Sequence, residues 1–207
     1  MDDSQGADEA EIRAACRAGD FRRAADRTLR AYGADLLGYL TVRLGDEALA
    51  REAYSDFSLD LWRGLERFEW RCPVRAWAYA LARNAGHRAW TRRARTRGRE
   101  RSWGPAHNVA ASAASRTPGF MRTTMKSRVR ALRERLSPEE RELLVLRIDK
   151  HLTWPELATV VAGRELADDD VKREAARLRK RFQLTKERLR ELAKREGLLD
   201  SPSEPEP

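Results

Sequence analysis

The chain has 207 residues, of which 36% are charged, 41% hydrophobic and 7% aromatic, and its 42 Lys and Arg against 33 Asp and Glu give a formal charge of +9. That composition supplies helical cores for one medium or two small domains, too few aromatics for a thick sheet core, and a charge suited to a polyanionic partner. No run approaches the roughly 18 to 20 apolar residues of a membrane span, and the start MDDSQGADEAE is acidic where a signal peptide is basic and then apolar, so a cytoplasmic protein without membrane contact is expected.

In chain order, residues 1–19 read as an N-terminal extension. Phe21, Ala25, Leu29, Tyr32, Leu36 and Leu40 then recur at helical spacing, with Gly45 placed to end the helix. A second helix is predicted from Glu47 to Glu66 on the stripe Leu49, Ala53, Phe57, Leu61 and Leu65. After a break at FEWRCP, Pro73 suits a first helical turn, and a third helix should run to about Arg95. Residues 98–124, with Gly98, Gly104, Pro105, Pro118 and Gly119, carry no sustained apolar period and read as a linker.

In the second block, Ser137, Pro138 and Glu140 spell a capping box, and Thr153, Pro155 and Glu156 repeat it. Val129, Leu132 and Leu136, then Leu143, Leu144 and Ile148, then Leu157, Ala158 and Val161 predict three short helices. A longer one follows on Val171, Ala175, Leu178, Phe182, Leu189 and Leu192. The tail SPSEPEP is rich in Pro and acid, a composition of disorder. The fold class is therefore all-α, with helical domains at 20–97 and 125–197, a linker between them, and a tail at 198–207.

Charge is unevenly distributed along these elements. Between Arg71 and Arg101 ten arginines face Glu100 alone, and between Lys172 and Arg195 eleven basic residues face Glu174, Glu187 and Glu191; between Asp35 and Glu69 acids outnumber bases eight to four. In the third helix, Trp77, Tyr79 and Trp90 lie among Arg75, Arg83, Arg88, Arg92 and Arg93, a pattern that suits unpaired DNA because rings stack on bases while guanidiniums hold phosphates. The same spacing equally fits a packed Trp77 and Leu81 with solvated arginines. In the second block a capped helix, a connection and a helix opening on Lys172, Arg173 and Arg177 fit a helix-turn-helix entering a major groove, against the plainer reading of a charged surface helix. Chemistry of other kinds has no support: Cys16 and Cys72 form no metal-ligand spacing, His87, His107 and His151 stand apart, and no glycine-rich phosphate loop is present. No enzyme activity, metal, cofactor or small-molecule substrate is expected.

The run Trp77-Ala78-Tyr79-Ala80-Leu81-Ala82-Arg83-Asn84 resembles the W-x-Y-x-I-A-R-N signature of extracytoplasmic-function sigma factors, the smallest sigma-70 class of bacterial RNA polymerase. AREAYSDFSLDLWRGLERF is similar to that family's polymerase-binding helix, and LSPEERELLVLRIDKHLTWPELATVV with DDVKREAARLRKRF to its C-terminal helix-turn-helix. The resemblance implies core RNA polymerase and promoter DNA as partners, an anti-sigma factor as a further one, and a function in promoter recognition and opening.

The resemblance also implies roles for particular residues. Asp56 falls at a polymerase contact with Glu52, Leu59 and Trp62 beside it. Phe68 and Asn84 fall at a pocket for a base extruded from the minus-10 strand, FEWRCP on the loop that selects it, and Arg75, Trp77, Tyr79, Arg83, Arg88, Arg92 and Arg93 along the same DNA. Lys172, Arg173 and Arg177 fall on the minus-35 reading helix, whose basic face continues through Arg179, Lys180 and Arg181. Departures from the family pattern are Ser55-Asp56 in place of Gln-Glu, Arg88 in place of Asp, Glu174 in place of Arg, and a long connection from Ala162 to Asp170. They keep open the alternative of a sigma-like adaptor that docks on polymerase, or on another protein, without initiating transcription.

Overall fold

The computed structural model describes residues 3–101, 128 and 131–198, and all regular structure among them is helical. The expected linker beyond residue 101, the Val129 turn and the tail after Leu198 lie outside the described residues.

Helix α1 (Asp3–Arg17) occupies what the sequence presents as an extension. It belongs to the core: Ile12 is fully buried, and the Glu9 carboxylate accepts from the Val74 backbone N–H at 2.7 Å, at the start of a later helix where unpaired N–H groups favour an acid. Helix α2 (Phe21–Leu44) starts where the Asp20 side chain accepts from the Arg23 N–H and ends at Gly45, whose φ of 64° only glycine adopts without cost. Helix α3 (Glu47–Gly64) follows at once, capped by Asp46 on the Leu49 N–H, and winds down through a 3₁₀ turn, Leu65–Arg67. The whole predicted stripe of α3, from Leu49 to Leu65, is buried. Phe57 is wholly enclosed, so truncating it to alanine should cost about 3–5 kcal/mol.

Helix α4 (Val74–Arg101) is longer than its sequence signals and takes in the first residues of the expected linker. Its first half is buried nearly all round, and Ala76, Ala78, Ala80, Ala82, Ala85 and Ala89 are the reason. Small side chains let α2 and α3 approach one side while the second block approaches the other.

That second block has a helical turn at 131–134, then α5 (Pro138–Leu144), a five-residue π turn (Val145–Asp149), α6 (Trp154–Ala162) and α7 (Asp168–Arg195). Both capping boxes form as the sequence spells them: Ser137 and Thr153 accept from the N–H groups of Glu140 and Glu156, whose carboxylates return the bond. Each such cap is worth about 1 kcal/mol. Gly163, at φ 70°, ends α6, and the non-helical connection is the short Gly163–Ala167. Trp154 joins α6 to α7 by meeting the Phe182 ring edge-on at 5.5 Å. One buried cluster runs from Ile12 in α1 through α4 to Leu157 and Phe182, so the two helical blocks are packed on each other.

Candidate nucleic-acid interface

Helix α3 presents its acids on the face that meets α4. Arg92 reaches both Glu52 at 2.7 Å and Asp56 at 2.6 Å, Arg88 pairs with Asp60, and Arg93 with Asp46. These pairs make a ladder between the two helices. Hydrogen bonds from the Leu49 N–H and from Arg93 hold the Asp46 carboxyl below the usual range, while Glu52 and Asp56 raise the Arg92 guanidinium further. The two acids expected at a polymerase contact, Glu52 and Asp56, are thus both already engaged by Arg92, one of the arginines expected at DNA. Leu59 and Trp62, on the same helix, are 51% and 55% exposed, an apolar pair three residues apart.

The residues expected around an extruded base divide in a similar way. Phe68 is buried, stacked on Trp77 with ring centroids 4.5 Å apart and tilted against Trp70 at 4.8 Å. Tyr79 is enclosed too, edge-on to Tyr39. The rings of Trp77 and Tyr79 therefore pack the core rather than offer a stacking face, the plainer of the two readings their spacing allows. The aromatic of that helix left in solvent is Trp90, 53% exposed.

Arg75, Arg83 and Asn84 all point into the second block. Arg75 donates to the Lys150 carbonyl, Arg83 to the Val161 carbonyl at 3.2 Å and to Glu142 at 3.1 Å, and the Asn84 amide to the Gly163 carbonyl at 2.7 Å. The loop after Phe68 is held as well: the backbone N–H groups of Glu69 and Arg71 donate to the Glu165 carboxylate at 3.2 and 2.9 Å.

Glu142 is the centre of this contact. Only 8% exposed, it accepts from the Tyr39 hydroxyl at 2.5 Å, pairs with Arg43, and takes Arg83. Burial by itself would raise its carboxyl, but the two guanidiniums and the hydroxyl outweigh it and hold the group below the ordinary carboxylate range. Tyr39 is pushed the other way, by burial and by the neighbouring Glu142 charge. A groove of about 350 Å³ runs beside this node, between Val42, Trp90 and Val145.

Sequence reasoning missed Glu142, Glu165, Arg43 and Tyr39. Glu142 had a signal: it lies four residues after Pro138 and three before Val145, so a charge sits where a helix of this pattern should turn inward.

Helix α7 keeps its basic face open. Lys172, Arg173 and Arg177 have side chains 79%, 67% and 71% exposed, and each pairs with an acid three residues earlier, Asp169, Asp170 and Glu174. Arg179 lies over the Trp154 ring at 5.8 Å, and Lys180 and Arg181 are exposed. The first turn of α7 carries Asp168, Asp169 and Asp170, acids at the end where the helix dipole favours them.

Helices α2, α3 and most of α4 are the segment that comparison with known families picks out: residues 28–96 match sigma-70 region 2. Among solved structures, the chain is similar to the sigma factor RpoE from Bartonella quintana, determined in complex with the anti-sigma factor NepR, at 19% identity and a TM-score of 0.46, over 78% of this chain and 96% of that one. No curated protein matches it. Among the described residues no helix is long and apolar enough to cross a membrane.

Proposed function

We propose that the chain is an alternative sigma factor of the extracytoplasmic-function class, which binds core RNA polymerase and directs it to promoter DNA in transcription initiation. The observation that carries this reading is the sigma-70 region 2 match over 28–96, on the same helices that bear the acidic face, the signature-like run from Trp77 to Asn84 and the aromatic loop. Exposed Leu59 and Trp62 beside Glu52 and Asp56 suit a protein partner, because an apolar pair rimmed by charge is what an interface buries. The open basic face of α7, behind a capped α6, suits duplex DNA at minus-35, with Lys172, Arg173 and Arg177 leading.

In this reading residues 20–97 form the polymerase and minus-10 unit and 125–197 the minus-35 unit. Asn84 and Phe68 hold the extruded base, and the α4 arginines hold the strand. Run-off transcription with purified core enzyme, starting from the DNA upstream of the protein's own coding sequence, should give discrete transcripts that depend on this chain. Their absence, with core binding intact, would select the second reading, an adaptor that docks without initiating. That reading is favoured by one feature: Arg75, Arg83 and Asn84 are all engaged within the chain.

A further inference from the structure

Helix α1 is held by its apolar face, with Ile12 fully buried and Ala15 nearly so, and it sends two polar side chains, one helical turn apart, to the loop between Phe68 and Val74. Glu9 accepts from the Val74 N–H at 2.7 Å, and the Arg13 guanidinium lies over the Trp70 ring, 5.1 Å from its centroid. Both contacts meet a local need. The Pro73 carbonyl accepts the first intrahelical bond of α4, from the Trp77 N–H, but a proline has no side-chain acceptor with which to cap that helix. The capping acid comes instead from 65 residues away.

Trp70 is the exceptional residue of the loop. Its φ of 60° is one that a bulky side chain rarely adopts, and such a conformation persists only where the surroundings over-determine it. The ring is tilted against Phe68 at 4.8 Å, and Phe68 stacks on Trp77 at 4.5 Å. Phe68 and Trp77 are buried, whereas Trp70 is half-buried and is the ring of the three that receives the Arg13 cation. Glu165 holds the same loop by its backbone, through the N–H groups of Glu69 and Arg71; the cation on the ring comes from α1.

We propose that α1 is a positioning element for base selection: by fixing the Trp70 ring and the first turn of α4, Arg13 and Glu9 set the shape of the loop against which an unpaired base is chosen. This rests on the assignment of that loop, with Phe68 and Asn84, to the minus-10 strand. Arg13 and Glu9 touch no base themselves and act through Trp70 and Val74. A loose loop adjusts to several bases, whereas a loop already shaped discriminates, because the cost of rearrangement falls on the wrong base. Helix α1 is then part of the reading machinery and not an extension to it.

The test is run-off transcription with purified core enzyme on a promoter library built on the DNA upstream of the protein's own coding sequence. The library is randomised at each position of the melted segment in turn, and the transcripts are sequenced. The unaltered full chain is compared with Arg13→Ala, with Arg13→Lys, which keeps a cation for the ring, and with Glu9→Ala and Arg13→Ala together. The control is Arg17→Ala, the same charge change one turn further along α1 at an exposed site. Thermal melting followed by circular dichroism reads the fold; if the double variant does not fold, Arg13→Ala decides.

In the expected result, preference for the best base over the worst at one position of the melted segment falls about threefold in Arg13→Ala and further in the double variant. Arg13→Lys retains most of that preference and Arg17→Ala all of it. A yield that falls equally for all four bases assigns α1 a structural role and overturns the proposal. An unchanged preference in Arg13→Ala, or an equal loss in Arg17→Ala, overturns it as well. Failure of the underlying reading looks different: the unaltered chain itself then gives no transcripts, or gives transcripts with no base preference anywhere in the melted segment, and the proposal falls with it.

Discussion

Helices α4 and α7 are both rich in basic residues, yet the structure disposes of them in opposite ways. Several arginines of α4 are met by tertiary partners: Arg88 and Arg92 by acids of α3, Arg93 by the α3 cap Asp46, and Arg83 by a buried glutamate 59 residues on. The leading basic residues of α7 meet acids three positions away on their own helix, pairs worth a few tenths of a kcal/mol that leave the cations in water. A net charge reports what a segment contains, and accessibility depends on which helix packs beside it. The α4 arginines should therefore govern stability first, and the α7 residues DNA affinity.

Breaking that contrast at its strongest point means removing Arg83. Glu142 would keep Arg43 and Tyr39 but lose one guanidinium in a nearly buried site, and urea denaturation should show a loss of about 2 kcal/mol. A change below about 0.5 kcal/mol would place Arg83 with the solvated residues.

Arginine-to-alanine changes at 173 and 177 should do the reverse. Stability should stay within about 0.5 kcal/mol, while affinity for an upstream promoter duplex falls about tenfold and the slope of log K against log salt flattens by about one unit per lost phosphate contact. An intact slope would show that α7 does not engage the DNA backbone.

Acid should sharpen the comparison further. The Glu142 carboxyl lies below its unfolded value, so its contribution is present above that value, about 4.3, and is lost as pH falls through the folded one. As pH falls below the unfolded value the blocks should begin to separate, seen as a rising radius of gyration, and Glu142→Gln should remove most of that step. Asp46 and Glu140 are lowered too, but both are more open to solvent and contribute less.

The smallest effect is expected at Arg92. Its pairs with Glu52 and Asp56 are exposed, so Arg92→Ala should cost about 0–1 kcal/mol in thermal unfolding. It would free both carboxylates, and co-purification with core polymerase should hold or improve; a clear loss would mean that Arg92 itself touches the partner.

Local signals made much of the fold legible. Ser137 and Glu140, Thr153 and Glu156, Gly45 and the α3 stripe each act within a few residues, and each is found where its spacing puts it. Helix α1 escaped because only Ile12, Ala15 and Cys16 mark its inner face, too few for a periodic signal amid acids. The candidate site was legible in membership and not in arrangement. Asn84 and Gly163 are 79 residues apart, and Tyr39 and Glu142 are 103, so nothing in either neighbourhood announces the other. Trp77 and Tyr79 show the same limit: their spacing fits a stacking face as well as a core, and only the burial of their rings decides between the two.

Gly163 ends α6, and it also sets the clearance between that helix and Asn84. A methyl group there would stand 2.6 Å from the Asn84 amide oxygen, closer than real side chains come, in a backbone conformation that already disfavours one. Any larger residue would act as a doorstop, pushing the Asn84 side chain aside and costing the hydrogen bond by which α4 holds the end of α6. One hydrogen atom in place of a side chain thus lets the same residue finish a helix and allow the door to shut.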